Sequence, residues 1–152
     1  MQKKYSKNKR ENRALQAYVK LMRAAESVTA RVHQNLSSKG LTLSQFAVLE
    51  ALYHLGPLSQ SGIGRKILRS SGNITMIIDN LEKNGLALRK RNKADRRFFI
   101  VHLTDRGTKL IENIFPPHAR VIAKEFSVLT DAEQDMLGSL CKKLGLGVRE
   151  ET

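Results

Sequence analysis

The sequence predicts a mainly α chain with a small β-hairpin wing, that is, a winged helix-turn-helix unit carrying further helices at both ends. Three observations carry this prediction. Apolar residues recur at 3-and-4 spacing over most of the chain, and the period switches to 2 for two short runs between residues 86 and 103. Most of the excess positive charge gathers around that switch. A chain of 152 residues is long enough for one domain with a real core. No apolar run approaches the roughly 18 residues needed to span a bilayer. The basic start, MQKKYSKNKR, leads into no uninterrupted apolar segment, so a secretory leader is not expected and the expected location is cytoplasmic. The single cysteine, Cys141, excludes an internal disulfide framework and a cysteine-based zinc cluster.

Each element follows from local signals. Leu15, Tyr18, Val19, Met22, Ala25, Val28, Val32 and Leu36 form one stripe, which predicts a long amphipathic helix over residues 11–37, ended by Ser37 to Gly40. Thr42 and Gln45 have capping-box spacing, so a second helix should run from Leu43 to His54 and stop at Gly56-Pro57. Ser59 reads as the N-cap of a short helix through Leu68. Ser70 or Ser71 starts the next, where Ile74, Ile77, Ile78 and Leu81 make a buried stripe and Asn84-Gly85 the stop.

Leu86 to Arg91 and Phe98 to Leu103 then read as two strands joined by the polar turn Asn92 to Arg97. In the second strand Phe99, Val101 and Leu103 are expected to face inward. Thr104 should cap a helix from Asp105 to Val128, kinked or broken at Pro116-Pro117. Thr130 and Glu133 form a second capping box. The last helix carries Met136, Leu137, Leu140, Cys141 and Leu144 on one stripe and should end at Gly145. On that stripe Cys141 is expected to be a buried packing thiol.

The net charge is +13, unevenly spread. Residues 1–13 hold six Lys/Arg against one acid, and residues 65–109 twelve against four, whereas residues 110–152 are net acidic. Such concentration predicts a face for phosphates rather than a uniformly soluble surface. A partner-binding winged helix that touches no DNA would leave this charge unexplained.

On the helix from Ser71 to Asn84, the side opposite the apolar stripe presents Asn73, Met76, Asp79, Asn80 and Lys83, with Thr75 at its flank. Asn can pair with adenine, and Met or the Thr methyl suits the thymine methyl. A plain solvent face would carry more Lys and Glu. Ser70 and Ser71 at the helix start are natural phosphate contacts. In the hairpin, six of the nine residues 89–97 are cationic: Arg89, Lys90, Arg91, Lys93, Arg96 and Arg97. Such a wing suits a neighbouring minor groove, with Asp95 fixing one arginine by a bidentate pair.

The run NKADRRFFIVHLTDRG resembles the wing of the MarR family of winged-helix regulators, through Asp95, Arg97, Val101, Leu103, Thr104 and Gly107. LTLSQFAVLEALYHLGPLSQSGIGRKI and NITMIIDNLEKNGL resemble that family's two preceding helices and its recognition helix, so the likeness covers about residues 11–145. It implies a homodimer built from the first and last helices, reading a near-palindromic double-stranded DNA site. The implied division is a basic flexible tail (1–13), a dimerisation helix (14–40), the winged helix-turn-helix (41–104), C-terminal dimerisation helices (105–147) and a tail (148–152). Arg97 is implied in the minor groove with Asp95 as its positioning partner. Met76 stands where relatives often have Arg, which tilts the expected preference toward A·T pairs.

Relatives commonly bind phenolic or other aromatic compounds between the dimerisation and DNA-binding parts. Tyr18, Met22, Arg23, Phe46, His54, Phe115 and His118 could line such a pocket here. FPPH and LYHLG are similar to segments of quinone- and phenol-responsive members. No cysteine lies near the first helix, where the family's oxidation sensors carry theirs. The histidines are scattered without ligand spacing, and no nucleophile elbow or phosphate loop is present. Neither metal, cofactor nor catalysis is expected. The reading is a sequence-specific dimeric repressor released by a small aromatic ligand. Its rival is a non-specific or architectural nucleic-acid-binding protein, which the lysine-rich start favours.

Overall fold

A computed structural model describes residues 8–67 and 71–147. Its elements run α1 (Lys9–Ser37), α2 (Leu43–Leu55), β1 (Leu58–Ser59), α3 (Gln60–Ile67), α4 (Ser71–Lys83), β2 (Ala87–Arg91), β3 (Phe99–Leu103), α5 (Asp105–Phe126) and α6 (Asp131–Leu146). The winged-helix order predicted from periodicity is present. None of the helices among the described residues is long and apolar enough to cross a membrane.

The caps explain why the helices start where they do. Thr42 Oγ1 accepts from the Gln45 N–H at 3.1 Å, while Gln45 Oε1 takes the Thr42 N–H at 3.0 Å, so two otherwise orphaned donors are satisfied. Thr130 and Glu133 repeat the box at α6. The amide and hydroxyl of Thr130 hold the Glu133 carboxyl below its ordinary pKa. Asn8 caps α1 by accepting from the Arg10 N–H at 2.9 Å, so the helix reaches back through residues 9–13, expected to be tail. Lys and Arg are good helix formers, and the cap supplies the missing acceptor.

Around α2 the core closes. Phe46, Val48, Leu49 and Leu52 are all buried there, and α2 packs against α3, α4, α5 and β3. The predicted α4 stripe, Ile74, Ile77, Ile78 and Leu81, is buried against them with Ile63, Val101, Ile111 and Ile114. An Arg31–Glu125 ion pair joins α1 to α5.

Several expectations need correction. Leu58 and Ser59 form a short third strand, so the sheet order is β1-β3-β2, antiparallel, with Leu58 opposite Val101 and Arg91 opposite Phe99. Val101 is buried but Phe99 is exposed, because it pairs at the outer end of the hairpin, where the Arg91 guanidinium lies 5.4 Å from its ring centroid. The α5 helix runs unbroken through Pro116-Pro117. Burial of Ile111 and Ile114 before the prolines and His118 after them outweighs the lost backbone bonds. Gly145 does not end α6; Gly147 does, at φ +70°, with its N–H on Leu144 O. A glycine weakens a helix interior, but a left-handed residue terminates it. Cys141 is exposed, because α6 has no buried residue in the single chain.

One glycine is required sterically. Gly107 sits in the first turn of α5, where a Cβ would stand 2.0 Å from Leu86 O. The Thr104 hydroxyl donates to Gly85 O at 2.7 Å and accepts from the Gly107 N–H at 3.0 Å, clamping α5 onto the chain entering the wing. Gly107→Ala is therefore expected to destabilise the fold by at least about 1–3 kcal/mol, read as a lower urea midpoint at unchanged m.

Candidate nucleic-acid interface

Burying one α4 stripe forces the other face outward. Asn73, Thr75, Met76, Asp79, Asn80 and Lys83 are all exposed, and Met76 keeps 58% of its surface accessible. An apolar side chain presented among amides is suited to thymine methyls rather than to water. Ser70 lies outside the described residues, and Ser71 is described only as the first residue of α4. The Thr75 hydroxyl is not presented alone, because it accepts from Gln60 Nε2 at 2.6 Å.

The turn between β2 and β3 is organised by the side chains of Asn92 and Asp95. Asn92 Oδ1 accepts from the Ala94 N–H at 2.9 Å, and Asn92 N–H and Phe98 N–H close the loop on Phe98 O and Asp95 O. Asp95 Oδ1 accepts both the backbone N–H and the Nε–H of Arg97 at 3.0 Å, while Oδ2 accepts from Nη2 at 2.8 Å. This is the bidentate pair expected from the sequence, formed with the arginine that the resemblance singled out. Arg97's side chain nevertheless remains 85% exposed, so it is oriented without being withdrawn. The Arg97 side chain first, and its backbone N–H second, hold the Asp95 carboxyl below the usual range, and the pairing raises Arg97 in turn. Lys93 and Arg96 are exposed on the same turn. Arg91 is exposed too, with its guanidinium 3.4 Å from Arg96 O and over Phe99.

Arg89 departs from expectation. Its side chain is only 17% exposed and is engaged by Glu82, Asp79, Gln60 and Thr75, so it is not a free cation awaiting phosphate. Sequence reading assigned Gln60 and Glu82 no site role. The available signal was that Thr75, Asp79 and Glu82 recur at i, i+4 and i+7, one face of α4.

The residues proposed for a ligand separate into two groups. Phe46 and His118 meet at 4.3 Å between ring centroids, and His54 and Phe115 at 4.7 Å, forming an aromatic–imidazole seam between α2 and α5. Tyr18, Met22 and Arg23 lie on the exposed part of α1, and no ring contact among the described residues joins them to the seam. A cleft of about 480 Å³ beside the seam is lined by Ala47, Glu50, His54, Leu55 and Lys66. His118 is buried with Nδ1 unpartnered among the described residues. Burial pushes its pKa down, opposed by Glu50. Because the folded pKa is depressed, the unfolded chain binds the proton more readily. Stability is then full above about pH 6.5 and falls as pH drops toward the native value. His118→Gln should flatten this part of the pH profile of the thermal midpoint.

Comparison with known proteins agrees with this arrangement. A family model described as the MarR family matches residues 41–98, from before α2 into the wing. The chain is 41% identical over 134 residues to YkoM, an uncharacterized HTH-type transcriptional regulator of Bacillus subtilis, covering 88% of this chain and 87% of that protein. It is 37% identical over 138 residues to the B. subtilis HTH-type transcriptional regulator MhqR, covering 91% and 95%. Among solved structures, BpsR of Bordetella bronchiseptica, whose DNA binding is regulated by 6-hydroxynicotinic acid, superposes with a TM-score of 0.78 at 28% identity, covering 86% of this chain and 98% of that one. Helix order and hairpin thus agree with sequence kinship, and the chain belongs to the MarR family of DNA-binding transcriptional regulators.

Proposed function

We propose that this regulator acts as a homodimer on a near-palindromic operator, represses from it, and is released by a small aromatic compound of the phenol or quinone class. The carrying observation is the apolar surface that a single chain leaves in water. Met136, Leu137, Leu140 and Leu144 on α6 are exposed, as are Leu15, Tyr18 and Met22 on α1. Covering an apolar face of this kind is what an obligate homodimer interface does.

Two-fold pairing would present two α4 faces and two wings, and the recognition helices would need to sit about 34 Å apart to enter successive major grooves. Asn73, Met76 and Asn80 would read bases, while Arg97, Lys93 and Arg96 would serve the minor groove and phosphates. A ligand in the α2–α5 seam would touch the joint between the DNA-binding unit and the helix leading to α6. It would lower DNA affinity by its preference for the mis-spaced dimer and by no more. The aromatic hydroxy acid that regulates BpsR supports this ligand class.

Selection of duplexes from a random pool at about 0.15 M salt tests the reading. A near-palindrome with half-sites about 10 bp apart is expected, and it becomes the probe for release by phenols and quinones. A pool retained without enrichment would favour the architectural rival.

A further inference from the structure

We infer that Arg89 is a positioning residue for DNA reading: it ties the wing to the recognition helix and neutralises the carboxylates that α4 carries beside its DNA face. Arg89 belongs to β2, yet its partners lie on two helices. Its backbone N–H donates to Glu82 Oε1 at 2.6 Å. Its Nη1 donates to Glu82 Oε2 and lies 2.7 Å from Asp79 Oδ1. Nη2 reaches Thr75 O and Nε reaches Gln60 Oε1, both at 3.3 Å. Gln60 closes the circuit by donating its amide to Thr75 Oγ1. One guanidinium thus holds α3, α4 and the wing strand together.

The chemistry calls for arginine. Only a planar fork with several donors can serve four acceptors on two helices at once, whereas an ammonium is a point charge on a flexible stem. The position matters as well. Asp79 is exposed between Met76 and Asn80, on the face that the proposed function turns to the duplex, a reading on which this inference rests, and an unmasked carboxylate there would repel phosphate. Beyond the Arg91–Phe99 pair that ends the β2–β3 register, the same hairpin carries Arg97 in its turn. The separation of major and minor grooves is set by DNA, so Arg97 and the α4 face must be held at one spacing. A residue with this task should govern discrimination between sequences rather than gross attraction.

The test compares Arg89→Met, Arg89→Lys and Arg97→Ala on the selected operator and on a scrambled duplex across a salt series. Arg89→Met is expected to lose about tenfold on the operator and clearly less on the scrambled duplex, where only repulsion from the unmasked Asp79 and Glu82 carboxylates acts. Its salt slope should stay that of the unmodified protein, and Arg89→Lys should not restore the loss. Arg97→Ala, by contrast, should reduce the slope by about 0.9 per wing. An Arg89→Met slope reduced by that amount, with equal losses on both duplexes, would make Arg89 a phosphate contact and overturn the inference. Unchanged affinities would make it a spectator and do the same.

A second measurement needs no operator. Hydrogen exchange at the amides of residues 87–91 and 99–103 in the free protein should accelerate in Arg89→Met and not in Arg97→Ala. Unaltered exchange would overturn the inference. Both Arg89 variants should fold, since Asp79 and Glu82 are partly exposed and can return to water. Failure of the unmodified protein to select any operator would count against the proposed repressor, while the exchange result would still decide the role of Arg89.

Discussion

Arg97→Ala is expected to weaken operator binding by about 1–3 kcal/mol for each wing engaged, a loss of roughly tenfold or more per site. The size follows from geometry. The guanidinium is exposed but already oriented by two bonds to a carboxylate that also accepts from the Arg97 backbone N–H, so little of its freedom remains to be lost on entering a groove. Asp95→Ala separates orientation from charge, because Arg97 stays cationic but must be ordered at the moment of binding. That variant should cost the operator about 0.5–1.5 kcal/mol, while its extra positive charge tightens binding to unrelated duplexes. Combined with Arg97→Ala, the Asp95 substitution should add nothing to the operator loss. The pair should also outlast ordinary acidification. Asp95 is held below its usual pKa, so it stays ionised above that range and the pairing is lost only as pH falls through the lowered value. Fluorescence anisotropy at fixed salt measures these affinities. Full retention of operator affinity by Arg97→Ala would remove the wing from the binding mechanism.

What the sequence made legible were features whose causes are local. Thr42 with Gln45 and Thr130 with Glu133 announce helix starts because each box is closed within four residues. Ile74, Ile77, Ile78 and Leu81 announce a buried stripe, and the exposed Asn73, Met76 and Asn80 follow from it by rotation. Asp95 and Arg97 stand two apart, so their pairing also needs no distant partner. The missed features depend on tertiary neighbours. Leu58 and Ser59 are strand only because β3 passes beside them, and a two-residue run has no period to read. Arg89 counts as one cation among six in its segment until α3 and α4 are folded against β2. Phe99 obeys the alternation of its strand yet lies beyond the buried part of it, a matter of how far the helices extend. Pro116 and Pro117 argue for a break on local grounds, and burial on both sides of them decides otherwise.

The stripe on α6 is legible and yet unsatisfied, and this yields the second large effect. Only Gln134 on that helix is half-buried, donating its amide to Phe126 O and Leu129 O, so the turn after α5 is anchored while the apolar residues face water. Leu140→Glu with Leu144→Glu is expected to yield a folded monomer. In a two-fold interface each substitution acts twice, so at about 1.5–3 kcal/mol per leucine the dimer loses roughly 6–12 kcal/mol. That loss rivals the ~8 kcal/mol that holds a micromolar complex together. The single-chain core, centred on α2, contains neither residue, so helical content should be unchanged. Sedimentation at micromolar concentration should report one chain in place of two. Operator affinity should then fall by more than about a hundredfold, because the second half-site is no longer supplied at the high effective concentration that linkage provides. Attraction to unrelated duplexes should fall far less, since each chain keeps its wing and its α4 face. A double variant that still sediments as a dimer would put the partner surface elsewhere. One that is monomeric yet keeps full operator affinity would mean that a single α4 and wing suffice to read the site.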